Sequence, residues 1–395
     1  MTIHRIIHPS GHGAFFTERI HEEGHRDINV VYDCGCKEES EKDLLRSEVS
    51  DFFKDGNTID ILFISHFDSD HVNGIELLMP YINKETRVFL PFSYEYLYIA
   101  IDSTIMVQMG NTLKVLEQKT DINRLYWVKY SRNGDEQQRV VDYREVEGPM
   151  IESGKGMGVH YNPSGTGQYK WLYIPFNFYD DKVYREKLEK AVAAEWGVKP
   201  KDIDPSRLDE IAISKFRQVY RSIGSHNTNT SNERTNKTNG SKNINDNSLL
   251  VLSKSASYNC ETVTKAIPFL ERLSGYGNYY RTKHFAPGDG SCLYTGDSNL
   301  GTKEKVRQLQ SIINRFTGMQ IELFQLPHHG SRQYYCRELL TDYDLFFHLF
   351  VNCGAYDFRQ KSFPQLFRDV EDACRRVFVV SGKKYCRLEQ TVSED

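Results

Sequence analysis

The sequence predicts a mixed α/β fold, and three observations favour it. The chain up to Phe92 alternates apolar, strand-like runs with helical segments in the order β-α-β-α-β. Three apolar runs each stop at histidine or aspartate side chains. The 395 residues are 39% hydrophobic and 12% aromatic, which is ample for the core of one large domain, residues 1–395, with insertions.

Apolar periodicity and turn residues predict the elements of the N-terminal part. In chain order they are two or three strands over 1–36, a helix over 41–53, a strand over 60–65, a helix over 72–82, a strand over 87–92, a long helix over 93–117, and strands over 123–130 and 138–147. We expect residues 93–150 to be an insertion of a helix and strands.

The C-terminal part shows the same mixture of patterns. The predicted elements are strands over 170–177, 247–252 and 292–297, a helix over 303–317, strands over 320–326 and 345–353, a helix over 364–374 and a strand over 376–381.

Residues 180–224 predict a helical hairpin between the two parts. The first helix ends at Gly197, and the second begins with Asp204 as N-cap and Pro205 at its first position. A peripheral packing element, a substrate lid and a docking surface for a protein partner are all compatible with this insertion.

Residues 225–247 contain one apolar residue, Ile244, and predict a disordered polar loop. Such a segment cannot bury enough surface to offset its ordering entropy. It is either an inert linker or a regulatory loop that a protease cuts at an exposed site such as Arg234, Lys237 or Lys242.

The most informative motif directly follows the apolar run 61–64. It holds two histidines and two aspartates within six residues: His66, Asp68, Asp70 and His71. Imidazole and carboxylate together suit Zn²⁺, Mn²⁺ or Fe²⁺. The alternative is a polar loop that happens to be rich in these residues.

Two further strands end in the same way. One stops at Asp297 in Thr-Gly-Asp, and the other at His328 and His329 in Pro-His-His-Gly-Ser. Each is weak evidence by itself, but all three motifs stand at the carboxyl end of an apolar strand. This shared placement predicts one metal centre.

These motifs, in this order, resemble the metallo-β-lactamase superfamily. More narrowly, they resemble the branch that contains the hydrolase domain of ComEC-type competence proteins, and this chain would be a soluble, free-standing relative of that domain. The turn Gly11-His12-Gly13-Ala14, the step Asp33-Cys34-Gly35 and the strand that starts at Asn247 are similar to further motifs of that branch. The resemblance covers about residues 5–90 and 245–355. It implies an αββα sandwich with the metal site at one edge.

The resemblance also implies the ligands. The residues it implies for binding one or two divalent ions, Zn or Mn, are His66, Asp68, Asp70, His71, Asp297, and His328 or His329. Asp33 would support these ligands without binding the metal. Asp68 stands where the superfamily commonly has a second histidine, which favours Mn²⁺ somewhat more. The strand 170–177 lacks the histidine often found there, and His160 is a poor substitute. We therefore expect one ion to be held firmly and a second weakly.

The function implied is a metal-dependent hydrolase, as a phosphodiesterase or nuclease with nucleic acid as substrate. Asp70 would orient the attacking water and take its proton, and whichever of His328 and His329 is not a ligand would polarise the leaving oxygen, a role we assign to His329. Ser331 and the Gly330 backbone would contact a phosphate. Two alternatives remain: a hydrolase of a small ester or lactone, and a catalytically degenerate interaction or sensor module.

Composition limits the partners. The net charge of −4 argues against general polyanion binding, so a nucleic-acid contact would need a local basic patch, for which Arg375-Arg376 and Lys383-Lys384 with Arg387 are candidates. No apolar stretch approaches the ~20 residues that span a bilayer, and the N-terminus lacks a signal-peptide core. Eight scattered cysteines predict buried free thiols, which fits a reducing cytoplasm. The oligomeric state stays open.

Overall fold

The computed structural model describes most of the chain outside the predicted hairpin and polar loop. Described are residues 1–91, 103–129, 140–161, 169–177, 190, 194, 248–256, 260–266, 280–316, 320–341, 346–354, 362–373, 377–384 and 386–394. The polar loop 225–247 lies outside these residues. So does the hairpin 180–224, except for residues 190 and 194, which are helical.

Strands dominate the described residues. They are β1 (Thr2–Ile7), β2 (Phe15–His21), β3 (Ile28–Cys34), β4 (Ile61–Phe63), β5 (Arg87–Pro91), β6 (Leu125–Val128), β7 (Val141–Asp142), β8 (Met150–Ile151), β9 (Met157–Tyr161), β10 (Tyr169–Phe176), β11 (Leu250–Ser255), β12 (Cys260–Ala266), β13 (Tyr280–Gly288), β14 (Cys292–Tyr294), β15 (Ile321–Gln325), β16 (Phe346–Cys353), β17 (Val377–Ser381) and β18 (Leu388–Glu394).

The α-helices fall into an N-terminal and a C-terminal group. They are α1 (Lys42–Phe52), α2 (Ser69–Val72), α3 (Ile75–Leu78), α4 (Ser103–Glu117), α5 (Lys303–Ile313), α6 (Arg337–Thr341) and α7 (Ser362–Asp372). Among the described residues, no helix combines the length and apolar character needed to cross a bilayer.

The strands form two mixed sheets. One has the order β13-β12-β18-β1-β2-β3-β4-β5-β6-β8, and the other the order β17-β16-β15-β14-β11-β10-β9-β7. The pairs from β3 to β8 are parallel, as are those from β14 to β17. Parallel strands end at the same edge of their sheet, so the loops after β3 and β4 are neighbours, and so are those after β14 and β15.

Three apolar clusters define the layers. The central cluster joins the facing surfaces of the two sheets and includes Phe16, Tyr32 and Trp171. A second cluster packs α1 and α3 against the larger sheet, and a third packs α5, α6 and α7 against the smaller sheet. Helices therefore cover both outer faces, and the predicted αββα sandwich is confirmed.

A buried ion pair on the larger sheet is contacted by hydroxyls from the other sheet. The Arg5 Nε donates to Glu18 Oε1 over 2.7 Å, and both side chains are almost fully buried. The hydroxyls of Tyr173, Ser253 and Tyr294, all on the opposite sheet, donate to the same carboxylate over 2.6, 2.7 and 2.7 Å. Five polar groups thus fix the two sheets to each other at one point.

Several predicted boundaries were wrong for local reasons. The helix predicted over 72–82 is two short helices, because Gly74 interrupts it and its N–H donates to the carbonyl of Cys34 over 2.9 Å. Within the described residues 140–147 of the strand predicted over 138–147, the strand covers Val141–Asp142, because the Asp142 side chain accepts from Arg144 N and closes a turn. The helix predicted over 93–117 is described from residue 103 onward.

Candidate metal centre

Four strand ends and one turn meet at one edge of the sandwich. The end of β3 brings Asp33, and the loop after β4 brings the 66–71 motif. The loops after β14 and β15 bring Asp297 and the two adjacent histidines. The turn between β1 and β2 adds His12. Residues far apart in sequence meet here because both sheets place parallel strands at this edge.

The first donor group consists of His66, His71 and Asp297, all buried. The His71 Nε2 lies 3.2 Å from Asp297 Oδ1, and the His66 Nε2 lies 3.6 Å from Asp297 Oδ2. Ligand atoms ~2.0–2.2 Å from a tetrahedral ion lie ~3.3–3.6 Å from one another. The 3.6 Å distance matches that ligand spacing and the 3.2 Å distance lies just below it, and neither nitrogen makes a hydrogen bond.

Asp33 and Ser65 orient both histidines of this group. The Asp33 carboxylate accepts from Ser65 N, Ser65 Oγ and His71 Nδ1 over 2.6, 2.6 and 2.8 Å. Because the Ser65 hydroxyl proton is used on Asp33, Ser65 Oγ accepts from His66 Nδ1 over 2.9 Å. Each Nδ1 then carries the ring proton, and each Nε2 faces Asp297. Asp33 thus has the supporting position expected from the sequence.

The second donor group consists of His12, Asp70 and His329. Both Nε2 atoms lie 3.4 Å from Asp70 Oδ2, and the two imidazole rings are 4.0 Å apart. The His329 Nδ1 donates to the carbonyl of Asn352 over 3.1 Å, so its Nε2 also faces the centre.

Asp297 joins the two groups. Its Oδ1 lies 3.8 Å from His329 Nε2, and its Oδ2 lies 3.3 Å from His328 Nδ1. The predicted proximity of Asp297 to His71 is confirmed. The sequence motifs are therefore brought together, with His329 inside a donor group and His328 beside it, stacked on Tyr334 at 3.9 Å.

Three residues depart from the arrangement that the sequence predicts. Asp68 lies at the edge, with its Oδ2 3.7 Å from His66 Nε2, and belongs to neither donor group. His160 lies elsewhere, with its Nδ1 3.1 Å from Glu22, so it does not replace the missing strand histidine. His12 was not predicted as a site residue, since two flanking glycines are typical of a turn.

The donor atoms have the character of an ion site. Among the described residues, five buried side-chain atoms of this centre lack a hydrogen-bond partner: His66 Nε2, His71 Nε2, Asp297 Oδ1, His328 Nδ1 and His329 Nε2. Unsatisfied buried polar atoms are costly, and several converging on one point need a common partner. A divalent cation in the first donor group satisfies His66 Nε2, His71 Nε2 and Asp297 Oδ1, and His329 Nε2 faces the second donor group, so the residues fit the expected metal.

The turn after β15 has an unusual backbone. Three successive residues adopt left-handed conformations: His328 at φ 47°, His329 at φ 52° and Gly330 at φ 74°. Only glycine adopts this region without strain, and each other residue there costs ~1–3 kcal/mol. Asp33, which orients His71, also has a positive φ of 56°. Of the four non-glycine residues with positive φ in the described part of the chain, three therefore lie in the centre, and the fourth is His160.

Two glycines let the loops approach closely. A Cβ on Gly35 would lie 2.5 Å from the carbonyl group of Asp70, and a Cβ on Gly13 would lie 2.4 Å from the carbonyl oxygen of Gly35. These neighbours are backbone atoms, which cannot move aside independently. The Asp70–His71 segment is thus held by close backbone packing.

Gly35→Ala should destabilise the protein by ~1–3 kcal/mol and weaken metal binding, because the added methyl group displaces the Asp70 backbone. Urea unfolding and equilibrium dialysis measure the two effects. Gly110→Ala is the control: this helical glycine has open space around its Cα, so alanine should stabilise by up to ~1 kcal/mol. Equal effects of the two substitutions would contradict the packing argument.

Burial and charge separate the two histidines of the first group. Burial lowers the pKa of His66 to about 4, and the neighbouring charge of His71 acts in the same direction. Burial also acts to lower the pKa of His71, but the carboxylates of Asp297 and Asp33 outweigh it and raise that pKa well above its ordinary value. The two histidines of one donor group are therefore shifted in opposite directions, His66 toward its neutral form and His71 toward its protonated form.

Metal binding should release a proton, because the raised pKa of His71 favours its protonated form and a ligating imidazole must be neutral. Protons compete with the ion for the His71 nitrogen, so metal affinity should fall as the pH decreases, by up to about tenfold per pH unit for one proton. Calorimetric titrations in buffers of different ionisation enthalpy should give apparent enthalpies that depend on the buffer. Buffer-independent enthalpies would contradict the assignment.

Comparison with known proteins agrees with this geometry. Residues 22–124 match the family model of the metallo-beta-lactamase superfamily. No curated protein matches the chain. The matched range includes the 66–71 motif and ends before Asp297 and the paired histidines, which the fold brings back to that motif. Residues 22–124 are thus similar to a metallo-β-lactamase superfamily domain, and this similarity suggests a metal-dependent hydrolase.

Proposed function

We propose that this chain is a metal-dependent phosphodiesterase that cleaves nucleic acid. The observation that carries the metal dependence is the set of contacts that fix the Nδ1 atoms of His66, His71 and His329. Each Nδ1 is paired with a partner in the fold, so each Nε2 faces a donor group: the first for His66 and His71, the second for His329. Histidine ligands of metals are oriented in this way by their outer nitrogen.

The residues divide into two roles. His66, His71 and Asp297 would hold an ion, with Asp68 at its exposed side. A divalent ion bound there supplies Lewis-acid polarisation of an ester oxygen and brings the pKa of water near ~7. The pKa of Asp70 lies below its usual range, because contact with His329 and the charge of His71 outweigh burial, which acts to raise it. The ionised Asp70 can therefore accept a hydrogen bond from the attacking water and orient it.

The geometry assigns His329 and His328 differently. From the sequence we expected His329 to polarise the leaving oxygen. The His329 side chain, however, is 5% exposed, and its Nε2 faces Asp70. His328 is 23% exposed and belongs to neither donor group. We therefore propose that His329 acts as a ligand and that His328 contacts the leaving oxygen.

Three carboxylates and two adjacent donor groups support a phosphodiester substrate. Asp68, Asp70 and Asp297 make the centre harder and more anionic than an all-histidine site, which favours Mn²⁺. Two neighbouring ions form a common arrangement for in-line displacement at phosphorus, since they stabilise the attacking and leaving oxygens. The basic residues that the sequence suggests for nucleic-acid contact have different surroundings. Arg387 pairs with Glu48 at 2.8 Å, whereas Lys383 and Lys384 are exposed. Arg375 and Arg376 lie outside the described residues.

A substrate comparison tests this proposal. The purified chain, loaded with Mn²⁺ or Zn²⁺, is incubated with linear and supercoiled DNA, with RNA, with a chromogenic phosphodiester and with a chromogenic carboxylic ester. We expect cleavage of the phosphodiester and at least one nucleic acid, and loss of both on chelation or in Asp297→Asn. Cleavage of the carboxylic ester alone would favour the lactone or ester alternative. Metal binding without any hydrolysis would favour the sensor alternative.

A further inference from the structure

We infer that His12 is the third protein ligand of a second divalent ion, which it holds together with Asp70 and His329. The inference rests on the proposed function, because it adds an ion to the same centre. It gives a chemical role to a residue in the turn between β1 and β2 that lies outside the three metal motifs.

The spacing of the three donor atoms supports an ion between them. Both Nε2 atoms lie 3.4 Å from Asp70 Oδ2, which exceeds the ~2.7–3.2 Å of an N–H···O hydrogen bond. The same 3.4 Å falls inside the ~3.3–3.6 Å expected between ligands of one tetrahedral ion. Three protein ligands leave a fourth position open, as in catalytic sites.

A buried and unsatisfied donor atom points into this group. The His329 side chain is 5% exposed, and its Nε2 lacks a hydrogen-bond partner although it faces Asp70. Two imidazoles whose centroids are 4.0 Å apart also share one carboxylate oxygen. A cation between them relieves the unsatisfied nitrogen without requiring both rings to be charged.

The position of His12 is fixed by backbone contacts with the metal motif itself. The N–H of Ala14 donates to the carbonyl of Asp70 over 3.2 Å, and the N–H of Gly35 donates to the carbonyl of Ala14 over 2.9 Å. The carbonyl of His12 accepts from the N–H of Lys37 over 2.8 Å. These bonds tie the turn to both β3 and the 66–71 motif, so His12 and Asp70 cannot move independently.

Packing on the other side of the turn is equally close. Gly11, Gly354 and Gly382 surround the buried carboxylate of Glu41, and a Cβ on Gly11 or Gly382 would overlap it. A Cβ on Gly354 would lie 3.0 Å from the His12 Cβ. The turn is therefore enclosed by three chain segments that are distant in sequence, and its imidazole is preorganised toward Asp70. His12 thus supplies a histidine nitrogen to the centre, which β10 does not, because β10 lacks the histidine that the superfamily often has there.

Metal stoichiometry tests the inference without an activity assay. Wild-type protein and His12→Ala are dialysed against Mn²⁺ or Zn²⁺, and bound metal is measured by mass spectrometry. We expect two ions in the wild type, and in His12→Ala either one ion or a second ion bound at least ~10-fold more weakly. His21→Ala, whose side chain is 64% exposed, is the control and should bind two ions as the wild type does.

A gain-of-signal variant covers the case in which His12→Ala does not fold. His12→Cys loaded with Co²⁺ should show a thiolate-to-cobalt charge-transfer band in the near ultraviolet that the Co²⁺-loaded wild type lacks. Absence of this band in a folded, Co²⁺-loaded variant would overturn the inference. Two ions of unchanged affinity in His12→Ala, or a single ion in the wild type, would also overturn the inference. Neither result would contradict the proposed hydrolase function. A wild type that binds no metal would overturn both.

Discussion

Asp70→Ala should lower phosphodiester hydrolysis by ~10²–10⁴-fold and leave the fold intact. The substitution removes the carboxylate that His12 and His329 approach and that would orient the attacking water. It leaves the main-chain carbonyl of Asp70, which accepts from Ala14 N and holds the β1–β2 turn. Side-chain chemistry and backbone support are thus separable at this residue.

Initial rates at saturating metal, together with circular dichroism, measure the two parts of this prediction. Asp43→Ala is the matched control, because Asp43 lies on α1, is 92% exposed and pairs with Arg46 at the surface. It should leave both the rate and the fold unchanged. Turnover of Asp70→Ala at the wild-type level in the same metal would refute the role of Asp70.

Glu18→Gln should reduce the free energy of unfolding by ~3–5 kcal/mol. The amide keeps the shape of the side chain but leaves the Arg5 guanidinium buried between the sheets without its counter-charge. Urea unfolding measures the change, with the exposed Glu23→Gln as a control that should have little effect. Replacing Arg5 and Glu18 together by apolar residues of similar volume should cost less than Glu18→Gln alone, and a larger loss would contradict this account.

The Glu18 ion pair also predicts an acid limit. Burial acts to raise the pKa of Glu18, but Arg5 and the hydroxyl donors outweigh it and bring that pKa below its ordinary value. A carboxylate with a lowered pKa stabilises the fold above its unfolded-state pKa of ~4.3, and the contribution is lost as the pH falls through the folded-state value. The stability difference between the wild type and Glu18→Gln should therefore shrink below pH ~4.

Regular periodicity made much of the fold predictable. The helix α1 buries Leu45, Val49 and Phe52 on one side, as its apolar spacing indicates. The strands β12 and β18 were missed, because polar residues occupy some of their inward positions. Gln390, buried against Arg5, separates the buried Leu388 and Val392 on β18, and Thr262 and Thr264 on β12 are buried too. The apolar pattern of a strand is weak where some of its buried side chains are polar.

The metal centre was predictable where its donors are adjacent in sequence. The 66–71 motif, Asp297 and the paired histidines each follow a recognisable strand, so their convergence follows from the topology. His12 gives no such local signal, because its partners Asp70 and His329 are distant in the chain. Likewise, the sequence could not distinguish His328 from His329, since only the backbone of the turn decides which ring lies inside a donor group.

The left-handed turn at His328–Gly330 has a consequence for the evolution of this protein. Selection for stability alone would favour glycine or asparagine at positions 328 and 329, since both residues tolerate positive φ better than histidine. Such replacements would remove donor atoms while strengthening the fold, so thermal tolerance and chemistry oppose each other at these two positions. Libraries selected only for folding should therefore lose these two histidines readily, and libraries selected for turnover should keep them.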